Sequence, residues 1–159
     1  MEGMDSTKIM KEAVREAQKT MRAGLGGPFG AAIIDTDGKL YVASNTVLGS
    51  KDPTAHAEVN AIRKACKAKG THDLTGCVLY TTCFPCPMCL SACIWANIKE
   101  IHYGSTPEDA GKIGFRDDYI YKFIKGDCKD EHVLVLSQRE RETTMPLFEE
   151  YDKNGQQRY

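Results

Sequence analysis

The sequence lacks the features that mark membrane proteins, nucleic-acid-coating domains and low-complexity chains. No apolar run reaches the roughly 20 residues of a membrane-spanning helix, and the opening MEGMDSTKIMKEAVREAQ is too acidic and too interrupted for a signal peptide. The net charge is −1, without any long basic run, which argues against a nucleic-acid partner. Repeats, biased segments and linkers are also absent. These absences predict a cytoplasmic protein with no membrane association.

What the chain does contain is an ordinary globular composition and many cysteines. Its 159 residues, 42% of them apolar, predict one domain over residues 1–159 with a sizeable core. There are seven cysteines, an odd number. In a reducing compartment such thiols are more often metal ligands, catalytic groups or core residues than disulfides. Four of them stand within CFPCPMCLSAC: Cys83, Cys86, Cys89 and Cys93.

Helix-like and strand-like segments alternate along the chain. Ser6 is a candidate cap for a first helix whose apolar face carries Ile9, Ala13 and Ala17. The turn signal at 36–38 predicts a hairpin between AAIID and KLYVASN. Further helices are predicted at about 55–69, from Pro87, within DDYIYKFI and from Pro146, and further strands at CVLYTT, IKEIHYG and HVLVLS. This order predicts an α/β fold with a mostly parallel or mixed sheet and helices on both faces.

The segment PTAHAEVNAIRKACK places two chemically useful side chains at the start of a helix. With Thr54 as the predicted N-cap, His56 and Glu58 lie in the first turn. Both side chains can then reach a ligand that lies beyond the helix end. Taken alone, the pair is equally typical of a partly buried histidine and a glutamate favoured by the helix dipole.

The segment PCPMC places two thiols at the start of another helix. Pro87 suits the first helical position, which makes Cys86 the N-cap and Cys89 the third helical residue. A positive helix end lowers a thiol's pKa and favours the thiolate that metals need. The two-residue gap at a helix start is also a recognised metal-chelating spacing.

Two interpretations use the cysteines alone. The spacing C-x2-C-x2-C-x3-C is that of bacterial ferredoxins, but there proline follows the fourth cysteine. Here Ile94 follows Cys93, and no second such run exists. A structural zinc site with four cysteine ligands is the other reading. It would leave His56 and Glu58 without a role, and the protein could then be a non-catalytic zinc-binding module.

A third interpretation uses both segments. His56, Cys86 and Cys89 supply three zinc ligands, and the fourth position is open to water, as in catalytic zinc sites. Zinc lowers the pKa of that water toward about 7, and Glu58 is placed to move protons. A His-x-Glu pair followed by Pro-Cys-x-x-Cys is the signature of zinc nucleobase deaminases. The joint pattern therefore predicts zinc-dependent deamination.

With these motifs the chain resembles the cytidine-deaminase-like superfamily, and within it the bacterial guanine deaminases. The resemblance covers nearly the whole chain, through segments in the order that family has: GLGGPFGA, DPTAHAEVNAIRKACK, PCPMC, IGFRDDYIYK and a terminal tyrosine. It implies a three-layer α/β/α fold around a five-stranded mixed sheet. It also implies one zinc ion per chain held by His56, Cys86 and Cys89, with Glu58 as the proton shuttle.

The resemblance further implies a substrate pocket and a dimer. Phe29 would stack on a purine, Asn45 would hydrogen-bond the base, and Asp117 would recognise its edge. Tyr159 would reach the active site from the partner subunit of a swapped homodimer. The expected reaction is the conversion of guanine to xanthine and ammonia in purine catabolism or salvage.

Two positions depart from the family pattern and bear on the substrate. Phe84 stands where relatives commonly carry glutamate, and Arg116 where an acidic neighbour of Asp117 is expected. Both belong to the expected rim of the pocket, so the ligands and the proton shuttle are unaffected. The alternative substrates are guanosine, cytosine or a triazine, or adenosine in tRNA, which would require a basic groove.

Overall fold

The computed structural model describes residues 5–159, so the first four residues of the predicted domain lie outside it. Seven helices and four strands make up the described part of the chain. In chain order they are α1 (Ser6–Arg22), β1 (Gly30–Ile34), β2 (Leu40–Ser44), α2 (Val47–Ser50), α3 (Ala57–Lys69), β3 (Val78–Cys83), α4 (Pro87–Trp95), β4 (Glu100–Ser105), α5 (Pro107–Gly111), α6 (Asp117–Lys125) and α7 (Arg141–Lys153).

The four strands form one mixed sheet in the order β2-β1-β3-β4. Strand β1 pairs antiparallel with both β2 and β3, whereas β3 and β4 are parallel. The predicted hairpin joins β1 to β2, and Gly38 adopts the positive φ of 82° that its turn requires. The prediction of an α/β fold with a mixed sheet is confirmed.

Helices cover both faces of this sheet. Because successive side chains of a strand point to opposite faces, Ala31 and Ile33 belong to one apolar cluster and Ala32 to another. The first cluster includes buried residues of α3 and α4, and the second includes Ile9 and Ala13 of α1. The predicted apolar face of the first helix is therefore the face that α1 buries.

Two predicted helix starts outside the candidate site are wrong. Asp5, not Ser6, is the N-cap of α1, because its carboxylate accepts the backbone N–H of Thr7. Helix α7 begins at Arg141, so Pro146 lies inside it instead of opening it. Proline has no N–H to donate to the preceding turn, yet the helix continues through Pro146 to Lys153.

The chain divides into two compact units, residues 1–121 and 122–159. Within the second unit the predicted strand HVLVLS does not form within residues 5–159: residues 132–137 form a turn followed by irregular chain. A strand needs a partner for its backbone hydrogen bonds, and no segment of residues 5–159 pairs with this one. The sheet of the described chain thus has four strands, not the expected five.

The second unit also contains the chain terminus. Arg158 pairs with Asp152 of α7, and its guanidinium lies 5.8 Å from the centre of the Tyr151 ring.

No helix within residues 5–159 has both the length and the apolar character needed to cross a bilayer.

Candidate active site

The His-x-Glu pair lies at the start of α3, and the N-cap of this helix is two residues later than predicted. His56 itself is the N-cap, and its extended backbone (φ −72°, ψ 157°) leads into the helix that begins at Ala57. Thr54 instead belongs to the preceding turn, where its N–H and hydroxyl both donate to Asp52 Oδ1. His56 is half-buried, whereas Glu58 in the first turn is only 6% exposed.

The PCPMC segment forms the start of α4 as predicted. Cys86 is the N-cap, Pro87 is the first helical residue, and Cys89 follows two positions later. The loop before the helix is held by Tyr121, whose hydroxyl donates a hydrogen bond of 2.6 Å to the carbonyl oxygen of Pro85. Both sulfurs therefore lie at the positive end of a helix.

The two helix starts bring one imidazole and two thiols together. His56 Nδ1 lies 3.4 Å from Cys86 Sγ and 3.5 Å from Cys89 Sγ. Tetrahedral zinc with ordinary Zn–N and Zn–S bond lengths places such atoms about 3.5 Å apart. Among residues 5–159 this is the single group of three or more His, Cys, Asp or Glu side chains close enough to share an ion. The donor set and its spacing fit zinc.

The other two cysteines of the segment do not join this group. Cys83 donates a hydrogen bond of 3.6 Å to the carbonyl oxygen of Thr106, and burial raises the pKa of its thiol to about 11. Cys93 is fully buried in the core, and burial raises its pKa to about 12. The geometry favours the His-Cys-Cys set over either site built from cysteines alone.

The charges within the cluster are strongly polarised. Hydrogen bonds donated by Cys89 and His56 lower the pKa of Cys86 to about 4, and the same proton sharing raises that of Cys89. The hydrogen bond with Cys86 raises the pKa of His56. Burial raises the pKa of the Glu58 carboxyl to about 7. The site thus combines a thiol whose ionised form is favoured with a carboxyl group able to exchange protons near neutral pH.

A cavity of about 240 Å³ opens beside the cluster. Three lining residues are among those expected to hold zinc or shuttle protons: His56, Cys86 and Glu58. Three others are among the expected substrate residues: Phe29, Asn45 and Asp117. Burial raises the pKa of the Asp117 carboxyl. Tyr159, the fourth expected substrate residue, belongs to the second unit, where its side chain is 77% exposed.

Asn45 is held in a fixed orientation at the edge of this cavity. Its side-chain oxygen accepts the backbone N–H groups of Gly27 at 3.2 Å and Val47 at 3.1 Å. Within residues 5–159 its side-chain nitrogen Nδ2 makes no hydrogen bond. The amide therefore ties two loops together through its oxygen.

Several residues that line the cavity belong to none of the zinc-binding motifs. Phe115 meets the ring of Phe29 at right angles, and its position in GKIGFRDDY carries no local signal. Phe84 and Arg116, the two departures from the family pattern, also line the cavity. Phe84 in turn packs edge-on against Tyr103, with ring centres 4.9 Å apart.

The fold and the site together define a zinc-binding deaminase domain. The family described as the cytidine and deoxycytidylate deaminase zinc-binding region matches residues 4–105, which include the three candidate zinc ligands and Glu58. The chain belongs to this family, and zinc is its metal cofactor.

Individual relatives narrow the comparison. Guanine deaminase of Bacillus subtilis (strain 168) is 49% identical over 130 residues, which cover 82% of this chain and 83% of that protein. The X-ray structure of Bacillus subtilis guanine deaminase superposes with a TM-score of 0.88 at 41% identity, covering 98% of this chain and 99% of the other. A tRNA-specific adenosine deaminase of Aquifex aeolicus (strain VF5) is 37% identical over 105 residues, 66% of this chain and 69% of that protein.

Proposed function

We propose that this protein catalyses the zinc-dependent hydrolytic deamination of guanine, giving xanthine and ammonia. The observation that carries the proposal is a single cavity lined by His56 and Cys86 of the His-Cys-Cys cluster, by the buried carboxyl group of Glu58 and by an aromatic wall. The similarity to guanine deaminase over more than four fifths of both chains supports guanine as the base.

The chemistry needs an activated water and a group that moves protons. Zinc held by His56, Cys86 and Cys89 would supply a Lewis acid that lowers the pKa of water toward about 7. Glu58 accepts a proton from the water that attacks C2 of guanine. It delivers this proton to the ring nitrogen, then takes the second proton of the added water from the new C2 hydroxyl and gives it to the amino group, which leaves as ammonia. Its pKa of about 7 suits both directions of transfer.

The remaining cavity residues orient the base. Phe29 presents an aromatic ring on which a purine can stack. The Nδ2 hydrogens of Asn45 can donate to an acceptor on the base, because the amide oxygen is already occupied by backbone N–H groups. Asp117 lines the cavity with an acceptor group for the N–H edge of guanine. These contacts favour a free nucleobase as the substrate.

We further propose that the single deaminase domain is completed in a homodimer by exchange of C-terminal tails. The second unit exposes apolar side chains that a monomer leaves in water: Leu134, Val135, Leu136, Leu147 and Phe148. In the exchanged dimer the segment 132–137 forms the fifth strand of a three-layer α/β/α fold, and Tyr159 reaches the partner's active site. Analytical ultracentrifugation tests this proposal, and a monomer at micromolar concentration contradicts it.

The cellular setting follows from the same features. All seven cysteines lie within the described residues and none forms a disulfide, which supports a cytoplasmic location. Guanine deamination belongs to purine metabolism. The net charge of −1 supports a small molecule rather than a nucleic acid as the partner.

Ammonia release from guanine, followed together with the ultraviolet shift to xanthine, tests the reaction. Glu58→Gln should keep zinc and lower turnover about 10²–10⁴-fold, since it removes the proton carrier. Glu108→Gln, an exposed position in the first turn of α5, is the matched control and should behave as wild type. Zinc-loaded wild-type protein that releases no ammonia from guanine refutes the substrate. Guanosine, cytosine, triazines and tRNA would then be assayed.

A further inference from the structure

The cavity has a corner made of two phenylalanine rings. The centres of the Phe29 and Phe115 rings are 4.8 Å apart, and the ring planes meet at 83°. Both side chains line the cavity beside the zinc ligands. Two perpendicular rings form two walls of a pocket, so a planar base stacked on one wall is met along its edge by the other. The edge-to-face arrangement is a favoured geometry for aromatic pairs.

The loop at Gly27 lies against both rings of the corner. A Cβ atom at Gly27 would lie 3.1 Å from Phe115 Cζ and 3.1 Å from Phe29 Cδ2 and Cε2. Both rings therefore rest against the backbone of Gly27. The N–H of the same glycine donates to Asn45 Oδ1, so the corner and the Asn45 amide are positioned by one loop.

Phe115 is poorly placed for a purely structural role. Its side chain is 36% exposed, whereas the largest core side chains of the first unit are almost completely buried. Its backbone N–H is fixed by the carbonyl oxygen of Ala110 at 3.1 Å. A large apolar side chain that is held in place but only partly buried contributes less to stability than a core residue. Its ring is directed instead at Phe29 and at the cavity.

We infer that Phe115 is a positioning residue for the substrate: it fixes the Phe29 ring and forms the wall that sets the in-plane position and maximum size of the bound base. The inference rests on the proposed function for the identity of the base. It adds a determinant of specificity, because a wall perpendicular to the stacked base stops sideways movement and excludes bulky substituents on that edge.

Steady-state kinetics of four proteins test the inference: wild type, Phe115→Ala, Phe115→Tyr and Ile113→Ala. Ile113 is 67% exposed, lies two residues from Phe115 and does not line this cavity. Phe115→Ala should raise KM for guanine about tenfold while kcat stays within about threefold, since it removes ground-state positioning. It should also raise the guanosine-to-guanine ratio of kcat/KM, because the corner is open. Phe115→Tyr should restore KM, and Ile113→Ala should match wild type.

A second variant moves the corner without removing a ring. Gly27→Ala should raise KM in the same way, because its methyl group displaces both rings. In the double variant Gly27→Ala/Phe115→Ala the missing ring leaves room for the methyl group. Its effect should therefore be smaller than the product of the two single effects. Gly111→Ala, where no atom lies within 4 Å of the added carbon, is the control for a glycine substitution.

The outcomes separate this inference from the proposed function. Wild-type turnover of guanine decides the function. Independently, calorimetry of guanine binding to the inactive Glu58→Gln protein, with and without Phe115→Ala, decides the role of the corner. An unchanged Kd and KM in Phe115→Ala overturns the inference even if guanine is the substrate. A lower melting temperature with an unchanged KM assigns Phe115 a structural role only. Absence of guanine binding to Glu58→Gln also overturns the inference.

Discussion

Replacing Cys86 with alanine is expected to release zinc, whereas replacing Cys93 with alanine is expected to retain it. Both cysteines are buried, and they lie one before α4 and one within it. Only Cys86 has its sulfur within 3.4 Å of His56 Nδ1. If the spacing of a four-cysteine site governed metal binding, the two substitutions would have equal effects.

The expected loss can be approximated from zinc-binding energies. Structural zinc sites with four ligands bind with roughly 10–16 kcal/mol, or about 3–4 kcal/mol per ligand. Removal of one ligand should therefore weaken binding about 10²–10³-fold. Cys93→Ala deletes one sulfur from the core and should lower the free energy of unfolding by about 1 kcal/mol without changing zinc affinity.

The assay is zinc content by mass spectrometry of the metal after dialysis, followed by competition with a chelator of known affinity. Cys86→Ala and Cys89→Ala should both lose zinc at a chelator concentration that leaves wild type loaded. Cys83→Ala and Cys93→Ala should follow wild type. Equal zinc loss from Cys93→Ala and Cys86→Ala, with both proteins folded by circular dichroism, would refute the three-ligand assignment.

Two further predictions concern the turn of the β1–β2 hairpin and the loop before α4. Asp35 is buried. Its carboxylate accepts two backbone N–H bonds of 2.9 Å and a third bond, of 3.1 Å, from the Tyr41 hydroxyl. Asp35→Ala should therefore lower the free energy of unfolding by about 3 kcal/mol in urea titrations. Burial raises the pKa of Asp35, but these donors outweigh burial and leave it lowered. The stabilisation from ionised Asp35 should therefore be complete above the unfolded pKa of about 3.9 and disappear as the pH falls through the folded pKa. Wild type should lose this stability on acidification, whereas Asp35→Ala has none of it to lose. Tyr121→Phe removes the hydrogen bond to the carbonyl oxygen of Pro85. It should lower the free energy of unfolding by about 1 kcal/mol while one zinc ion remains bound. An unchanged melting temperature would contradict the view that Tyr121 stabilises this loop.

The zinc cluster was predictable because each half of it is local. Pro87 fixes the start of α4, which places Cys86 and Cys89 at the helix end. His56 also stands at a helix start, although the cap two residues earlier was assigned wrongly. Because His56 and the two cysteines lie at positive helix ends, the chemistry that favours thiolates is encoded within a few residues.

The walls of the cavity were less predictable because they come from distant parts of the chain. Phe29 and Asn45 were available through the family resemblance, but the contact between Phe29 and Phe115 depends on how α5 and the first strand are brought together. The position of Gly27 beneath both rings is also a packing result. No periodicity or spacing in the sequence indicates which exposed phenylalanine faces a cavity.

The segment HVLVLS shows a different limit. Its apolar run is typical of a buried strand, yet Leu134, Val135 and Leu136 are all more than half exposed. Strand formation depends on two segments, since each backbone N–H and C=O needs a partner across the ladder. Sequence pattern therefore identifies a segment suited to pairing but not the chain that supplies its partner. The proposed homodimer with exchanged tails would supply that partner, by pairing the exposed run of one chain with the open outer edge of β4 in the other.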